Sequence, residues 1–178
     1  MITIYTDGSS KGNPGPGGYA AVISYKLKVK SKEEDWITEI GGRAEHTTNN
    51  RMELVAVIEA LKFVNGLTPP LTLPLDQGEG EKGRGVSVFT DFKYVKQGIT
   101  EWIHNWQKKN WKTAGKKPVQ NKDLWQELLS VVEDKNLEWK YVEGHAGHKL
   151  NERADEIATS FADNIKPILY NGSRQKYK

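Results

Sequence analysis

Two runs of the chain end alike. Ile2-Thr3-Ile4-Tyr5-Thr6-Asp7 and Val86-Ser87-Val88-Phe89-Thr90-Asp91 are short stretches of β-branched and aromatic residues that close on Thr-Asp. Such runs read as buried strands. A helix-forming segment from about Phe92 to Gly98 follows the second. Strand, helix, strand, helix over this half of the chain argues for parallel neighbours, and in an open α/β sheet ligands collect at the carboxyl ends of the strands. The shared ending would therefore set Asp7 and Asp91 side by side. Each also has a plainer reading, Asp7-Gly8 as the start of a turn and Asp91 as a helix cap.

The intervening segments fill out the same layout. Gly8 to Gly18 holds five glycines and two prolines and is expected to be neither helix nor strand. Tyr19–Tyr25 and Trp36–Ile40 read as further strands, with Lys26 to Asp35 between them as a charged, exposed turn. The first three strands then form an antiparallel meander. Thr47-Thr48-Asn49-Asn50 opens a helix that stops near Gly66. Met52, Leu54, Val55, Val57, Ile58 and Leu61 spread apolar surface around most of that helix, so it is buried on more than one side. Glu53 lies in this greasy stretch. It is either a surface glutamate favoured by the helix dipole, or a buried carboxylate that needs a partner or a metal.

Residues 67–85, with Pro69, Pro70, Pro74 and four glycines, read as a long exposed loop. Asn121-Lys122-Asp123 starts an amphipathic helix with Leu124, Leu128, Leu129 and Val132 inward. Leu137–Val142 is a fifth strand, and Gly144-His145-Ala146-Gly147-His148 a loop after it. Asn151 is expected to cap the last helix, with Asp155 in its first turn, where dipole compensation alone would explain an acid.

With 178 residues, one domain is expected. The absence of cysteine excludes disulfides and thiolate metal sites. No apolar run is long enough to span a membrane; the chain begins directly on a strand with no signal-peptide pattern and has no cysteine, so a cytoplasmic location is expected, and as nothing demands more, a monomer. The net charge of +3 says little about partners, but its distribution says more. Between Trp102 and Lys122 there are six lysines and no acid, interleaved with Trp102, Trp106 and Trp111. A solvated charged face is the usual meaning of a lysine run. Tryptophans among the lysines favour nucleic acid, because lysines neutralise phosphates while rings pack on sugars or bases.

Asp7, Glu53, Asp91 and Asp155 therefore come from two strand ends and two helix starts. Gathered in one place they would need cations, and hard oxygen ligands select magnesium or manganese. Two such ions flanking a phosphodiester support its hydrolysis. His145 and His148 lack the companions that zinc requires. A loop histidine near carboxylates suits proton transfer, and a merely exposed histidine is the alternative.

The blocks Thr6-Asp7-Gly8-Ser9 with Gly12-Asn13-Pro14-Gly15, Thr48-Asn49-Asn50-Arg51-Met52-Glu53-Leu54, Thr90-Asp91, and Gly144-His145-Ala146-Gly147-His148 through Asn151-Glu152-Arg153-Ala154-Asp155 resemble type 1 ribonuclease H. Gly98 to Trp125 is similar to the basic protrusion of its bacterial members. The resemblance implies an α/β fold with a five-stranded mixed sheet, order 3-2-1-4-5, and helices on both faces. It implies a catalytic domain over 1–163 with a basic protrusion over 101–122; the tail over 164–178 departs from the family pattern, and its four basic residues and lack of acid read as either a disordered end or a segment lying on nucleic acid. The implied activity is cutting of the RNA strand of RNA–DNA hybrids with two Mg2+ ions (or Mn2+), leaving 5′-phosphate and 3′-hydroxyl ends. Asp7, Glu53, Asp91 and Asp155 match the metal-binding carboxylates, and His145 the loop histidine that assists proton transfer or product release. Gly8, Ser9, Ser10, Asn13 and Asn49 match groups that read 2′-hydroxyls. Thr48, Trp102, Trp106, Lys108 and Lys109 match groups that hold the DNA strand, and Asn151 is placed with the substrate contacts. Phe92 and Lys93 depart from the small residue that often follows the third aspartate. A DNA-acting nuclease of the same superfamily and a non-catalytic hybrid-binding module are the competing readings.

Overall fold

A computed structural model describes residues 1–29, 32–67, 85–133 and 137–178. Almost all of the loop expected at 67–85 lies outside them. The strands are β1 (Ile2–Ser10), β2 (Gly15–Val29), β3 (Lys32–Thr47), β4 (Val86–Thr90), β5 (Leu137–Tyr141) and β6 (Asn171–Ser173). The helices are α1 (Asn49–Gly66), α2 (Lys93–Gln97), α3 (Ile103–Lys108), α4 (Lys122–Val132) and α5 (Lys149–Ala162). A π-turn at Gly98–Trp102 joins α2 to α3.

The strands form one mixed sheet in the order β5-β4-β1-β2-β3-β6. β1 pairs antiparallel with β2 and parallel with β4, which in turn pairs parallel with β5. The five expected strands keep their expected order, but the sheet has six. The sixth comes from the tail, where Asn171 pairs with Thr38 and Ser173 with Trp36. A three-residue Asn-Gly-Ser strand carries no apolar alternation, so the sequence offers no signal for it.

The meander is also much longer than its apolar core. The segment expected as a charged turn is mostly strand, with Lys26 opposite Asp35 and Leu27 opposite Glu34. Lys26 lies 3.8 Å from Glu33 and 3.9 Å from Asp35, so an opposite-charge ladder carries the ribbon past the core.

The glycine-rich stretch is likewise mostly strand rather than loop, with a tight turn between β1 and β2. Its glycines serve packing against helices. A Cβ on Gly8 would stand 2.2 Å from the backbone nitrogen of Glu53 in α1, and one on Gly18 would stand 2.2 Å from the carbonyl oxygen of Ala158 in α5. Both obstacles are backbone, so neither helix could sit where it does over any other residue.

Alternation along β2 shows that the two helices lie on opposite faces. Ala21 and Ile23 join the larger core with Leu54, Val57, Ile58 and Leu61 of α1 and Leu124, Trp125 and Leu128 of α4. Ala20 and Val22 join Ile37 and α5 residues Ala154, Ile157 and Ala158 in a smaller one.

The helix expected to stop near Gly98 runs on through it into the π-turn. Gly98 is a packing site, where a Cβ would come within 2.1 Å of the Trp125 ring. The last helix starts earlier than expected. His148 is its N-cap, Asn151 lies inside it, and Asp155 falls beyond the first turn, so dipole compensation does not account for Asp155.

Candidate active site

The parallel pairing of β1 with β4 runs from Ile2–Val86 to Thr6–Thr90. Asp7 and Asp91 are the next residues, just past the end of this parallel pairing; Asp7 still pairs with Ala20 of β2, while Asp91 lies beyond β4. The threonines before them are fully buried. The Thr6 hydroxyl donates to the Phe89 carbonyl at 3.5 Å, and the Phe92 N–H donates to the Thr90 hydroxyl at 3.1 Å. The repeated Thr-Asp ending thus ties the two strands and turns the chain just beyond Asp91.

Glu53 arrives from α1, whose first turn is capped by Thr48 accepting from the Arg51 N–H at 3.4 Å. Carboxylate oxygens of Asp7, Glu53 and Asp91 lie within 4.8 Å of one another. Asp7 Oδ2 and Glu53 Oε2 are buried and have no hydrogen-bond donor. Asp91 is held by the Asn151 side-chain amide, which donates to its Oδ2 at 3.1 Å. Asp155 stands outside the 4.8 Å triad, half-buried on α5.

Burial, with the charges of Asp91 and Asp155, pushes the Asp7 carboxyl up to about 8. Burial raises Glu53 well above the usual carboxylate range too, aided by Asp7 and Asp91 and opposed by the Gly8 N–H that its carboxylate accepts. Orphaned buried oxygens, crowded like charges and an all-oxygen donor set fit a hard divalent cation.

Without metal, Asp7 holds a proton in the fold that it loses when unfolded, between its unfolded value of 3.8 and its folded value of about 8. The metal-free chain is therefore expected to lose stability as pH rises through that window, by up to about 1.4 kcal/mol per pH unit for each carboxyl involved. Magnesium should oppose the loss, because it stabilises the ionised forms. Urea melts at about pH 5 and pH 8, in chelator and in magnesium, check this. A chelated protein more stable at the higher pH would contradict it.

Several expected substrate-binding residues border the triad. Gly8, Ser9 and Ser10 continue β1 directly beyond Asp7, and Asn13 is exposed at the turn. Thr48 and Asn49 open α1 and are half-buried. His145 is exposed on the loop between β5 and α5, with a φ of 56°. A Cβ on the preceding Gly144 would stand 3.1 Å from Asp91 Oδ2, so this loop passes beside the triad. Asn151 is 2% exposed and its amide is committed to Asp91.

The basic arm is rooted beside the same helix start. Arg51 donates to both carboxylate oxygens of Asp123, at 2.7 and 3.1 Å, and to Asn121 Oδ1 at 3.4 Å. Asn121 and Trp125 both donate to the Tyr94 hydroxyl, at 3.3 and 3.1 Å. No pattern in the sequence singles out this anchor. Trp102 and Trp106 are half-buried, their ring centroids 5.8 Å apart, and Trp106 packs on Trp125 at 5.4 Å. Trp111 is buried in the larger core, which removes it from the surface. Lys108, Lys109, Lys112, Lys116, Lys117 and Lys122 are all exposed, and none is in an ion pair with a described residue.

Set against known proteins, residues 1–163 match the family model for RNase H. The chain belongs to the ribonuclease H family. It is 45% identical over 163 residues to the ribonuclease H of Yersinia pestis (strain Pestoides F), covering 92% of this chain and 90% of that one. Among solved structures, LC9-RNase H1, a type 1 RNase H with the type 2 active-site motif, superposes with a TM-score of 0.71 at 30% identity, over 96% of this chain and 76% of that one. LC11-RNase H1, solved in complex with an RNA/DNA hybrid, shares the fold with a TM-score of 0.60 at 23% identity, over 92% of this chain and 98% of that one. Ribonuclease H enzymes are divalent-metal-dependent endonucleases, and the triad offers the ligands that such a metal needs. Among the described residues no helix is long and apolar enough to cross a membrane.

Proposed function

We propose that this ribonuclease H hydrolyses the RNA strand of RNA–DNA hybrids in the cytoplasm, as a monomer, using two Mg2+ ions, with Mn2+ as a substitute. The observation that carries the reading is the triad itself, three carboxylates with two orphaned buried oxygens, Asp7 and Asp91 just past the parallel pairing of β1 with β4 and Glu53 from α1. Asp7, Glu53 and Asp91 would hold the metal, joined by Asp155 once substrate is seated. Bound there, the metals supply an activated water and neutralise charge on the leaving oxygen.

The protein's own residues do the rest. Asn151 orients Asp91 by donating to its Oδ2, and Asp91 would offer its other oxygen as a metal ligand. His145, on the exposed loop that passes beside Asp91, would carry a proton out as product leaves. Gly8, Ser9, Ser10, Asn13 and Asn49 read the 2′-hydroxyls that distinguish RNA. Thr48, Trp102, Trp106, Lys108 and Lys109 take the DNA strand. Attack by water with departure of the 3′-oxygen, which takes up a proton, leaves 5′-phosphate and 3′-hydroxyl ends. The test is end analysis of the cut strand. A 3′ end that a polymerase extends supports the reading, and a 2′,3′-cyclic phosphate, made by the 2′-hydroxyl, contradicts it.

A further inference from the structure

The residues beyond 163, where the matched family model ends, do not stand apart from the catalytic domain. They fold back over the side of α5 turned away from the triad. Glu39 on β3 is the hub, its side chain only 1% exposed. It accepts from Arg153 Nε and Nη2 at 2.8 and 3.0 Å, from the Tyr170 N–H at 2.9 Å and from the Tyr177 hydroxyl at 2.7 Å. Arg153 also donates to the Ile168 carbonyl at 3.0 Å. One buried carboxylate and one guanidinium thus join β3, α5 and the tail. Asn171 adds bonds from Trp36 at 2.6 Å and Thr38 at 3.2 Å, and the Tyr170 and Tyr177 rings meet edge to face at 5.0 Å. Leu169, Tyr170 and Tyr177 pack against the small core under α5.

That core is small. Beneath α5 it consists of three alanines and three larger residues, Val22, Ile37 and Ile157, and the His148 N-cap makes no side-chain bond. Yet α5 carries both Asn151, which orients Asp91, and Asp155. Arg153 lies between them in sequence.

We infer that the tail is a strap whose bonds to Glu39 and Arg153 position α5, and through it Asn151 and Asp155, for turnover. Glu39, Arg153 and Tyr177 are positioning residues. They touch none of the reacting groups. An open cleft of about 1020 Å³ lies between α5 and the tail, away from the triad, and its walls include Arg153, Tyr170 and Tyr177.

The effect on turnover rests on the hydrolase reading above, whereas the effect on α5 does not. Full-length Tyr170→Ala/Tyr177→Ala removes both rings and leaves the larger core intact. Hydrogen exchange of the α5 amides should quicken by about tenfold relative to amides of α1. At a temperature well below the variant's melting point, kcat on hybrid should fall by about tenfold while KM stays within about twofold, the signature of misplaced reacting groups rather than weakened binding. Tyr177→Phe keeps the ring and removes one bond, so it should lie between the variant and the native chain, and it serves if the double variant does not fold. A lower melting temperature with unchanged kcat and unchanged α5 exchange would overturn the inference and leave the tail a stabiliser only. If the native chain leaves hybrid uncut, the hydrolase reading fails, and the exchange measurement alone decides the strap.

Discussion

Asp7→Asn should abolish cleavage while leaving hybrid binding largely intact. Asp7 supplies one of the two orphaned buried oxygens of the triad, and its amide isostere removes a metal ligand without changing shape. The expected loss in kcat is at least about a thousandfold, equivalent to about 4 kcal/mol of transition-state stabilisation. Binding in chelator should hold, because the amide replaces a carboxyl of the same shape that already carries a proton when no metal is bound. The same substitution should raise the melting temperature of the metal-free protein, since it relieves a buried carboxyl crowded by Asp91 and Asp155. Loss of function with gain of stability is the mark of a group kept for chemistry. Single-turnover cleavage, hybrid binding in chelator and thermal melts read the three effects. Cleavage at a comparable rate would remove Asp7 from the metal site.

Replacing Lys108, Lys109 and Lys112 together with Ala should act at the other end of the substrate. All three are exposed, and none is in an ion pair with a described residue, so their charge is available to phosphate. KM should rise far more than kcat falls. The slope of log affinity against log salt should shrink by roughly 2 to 3, about 0.9 for each phosphate that is no longer neutralised. An unchanged slope would mean that the arm does not touch the backbone. Arg51, Asn121 and Tyr94 root this arm at the start of α1, so the arm and Glu53 share one rigid frame.

The parts of this protein that the sequence reveals are those fixed by local chemistry. The Thr-Asp endings predict adjacent parallel strands and place Asp7 beside Asp91, because a short apolar run followed by a helix admits few arrangements. Glu53 stands out because a charge in a helix that is apolar nearly all round needs a reason to be there. What stays hidden is what depends on distant backbone. Gly8 and Gly18 look like loop residues, yet they are strand residues whose missing side chains let α1 and α5 approach. Asn151 resembles a cap and is instead buried against Asp91, a pairing across 60 positions of chain. The sixth strand and the Glu39 hub are invisible because β6 has no pattern of its own and Glu39 sits in an unremarkable Thr-Glu-Ile. Trp111 shows the limit of composition, since a tryptophan among lysines suggests stacking on bases and this one is buried in the core.

The most direct test presents one nucleotide sequence in four forms: RNA–DNA hybrid, duplex RNA, duplex DNA and single-stranded RNA. Each is incubated with the protein in magnesium and in chelator, and the labelled strands are resolved by length. A hybrid-specific, metal-dependent ribonuclease H cuts the RNA strand of the hybrid alone, and only with magnesium. Cutting of duplex DNA, or hybrid bound in both conditions and never cut, would contradict that assignment.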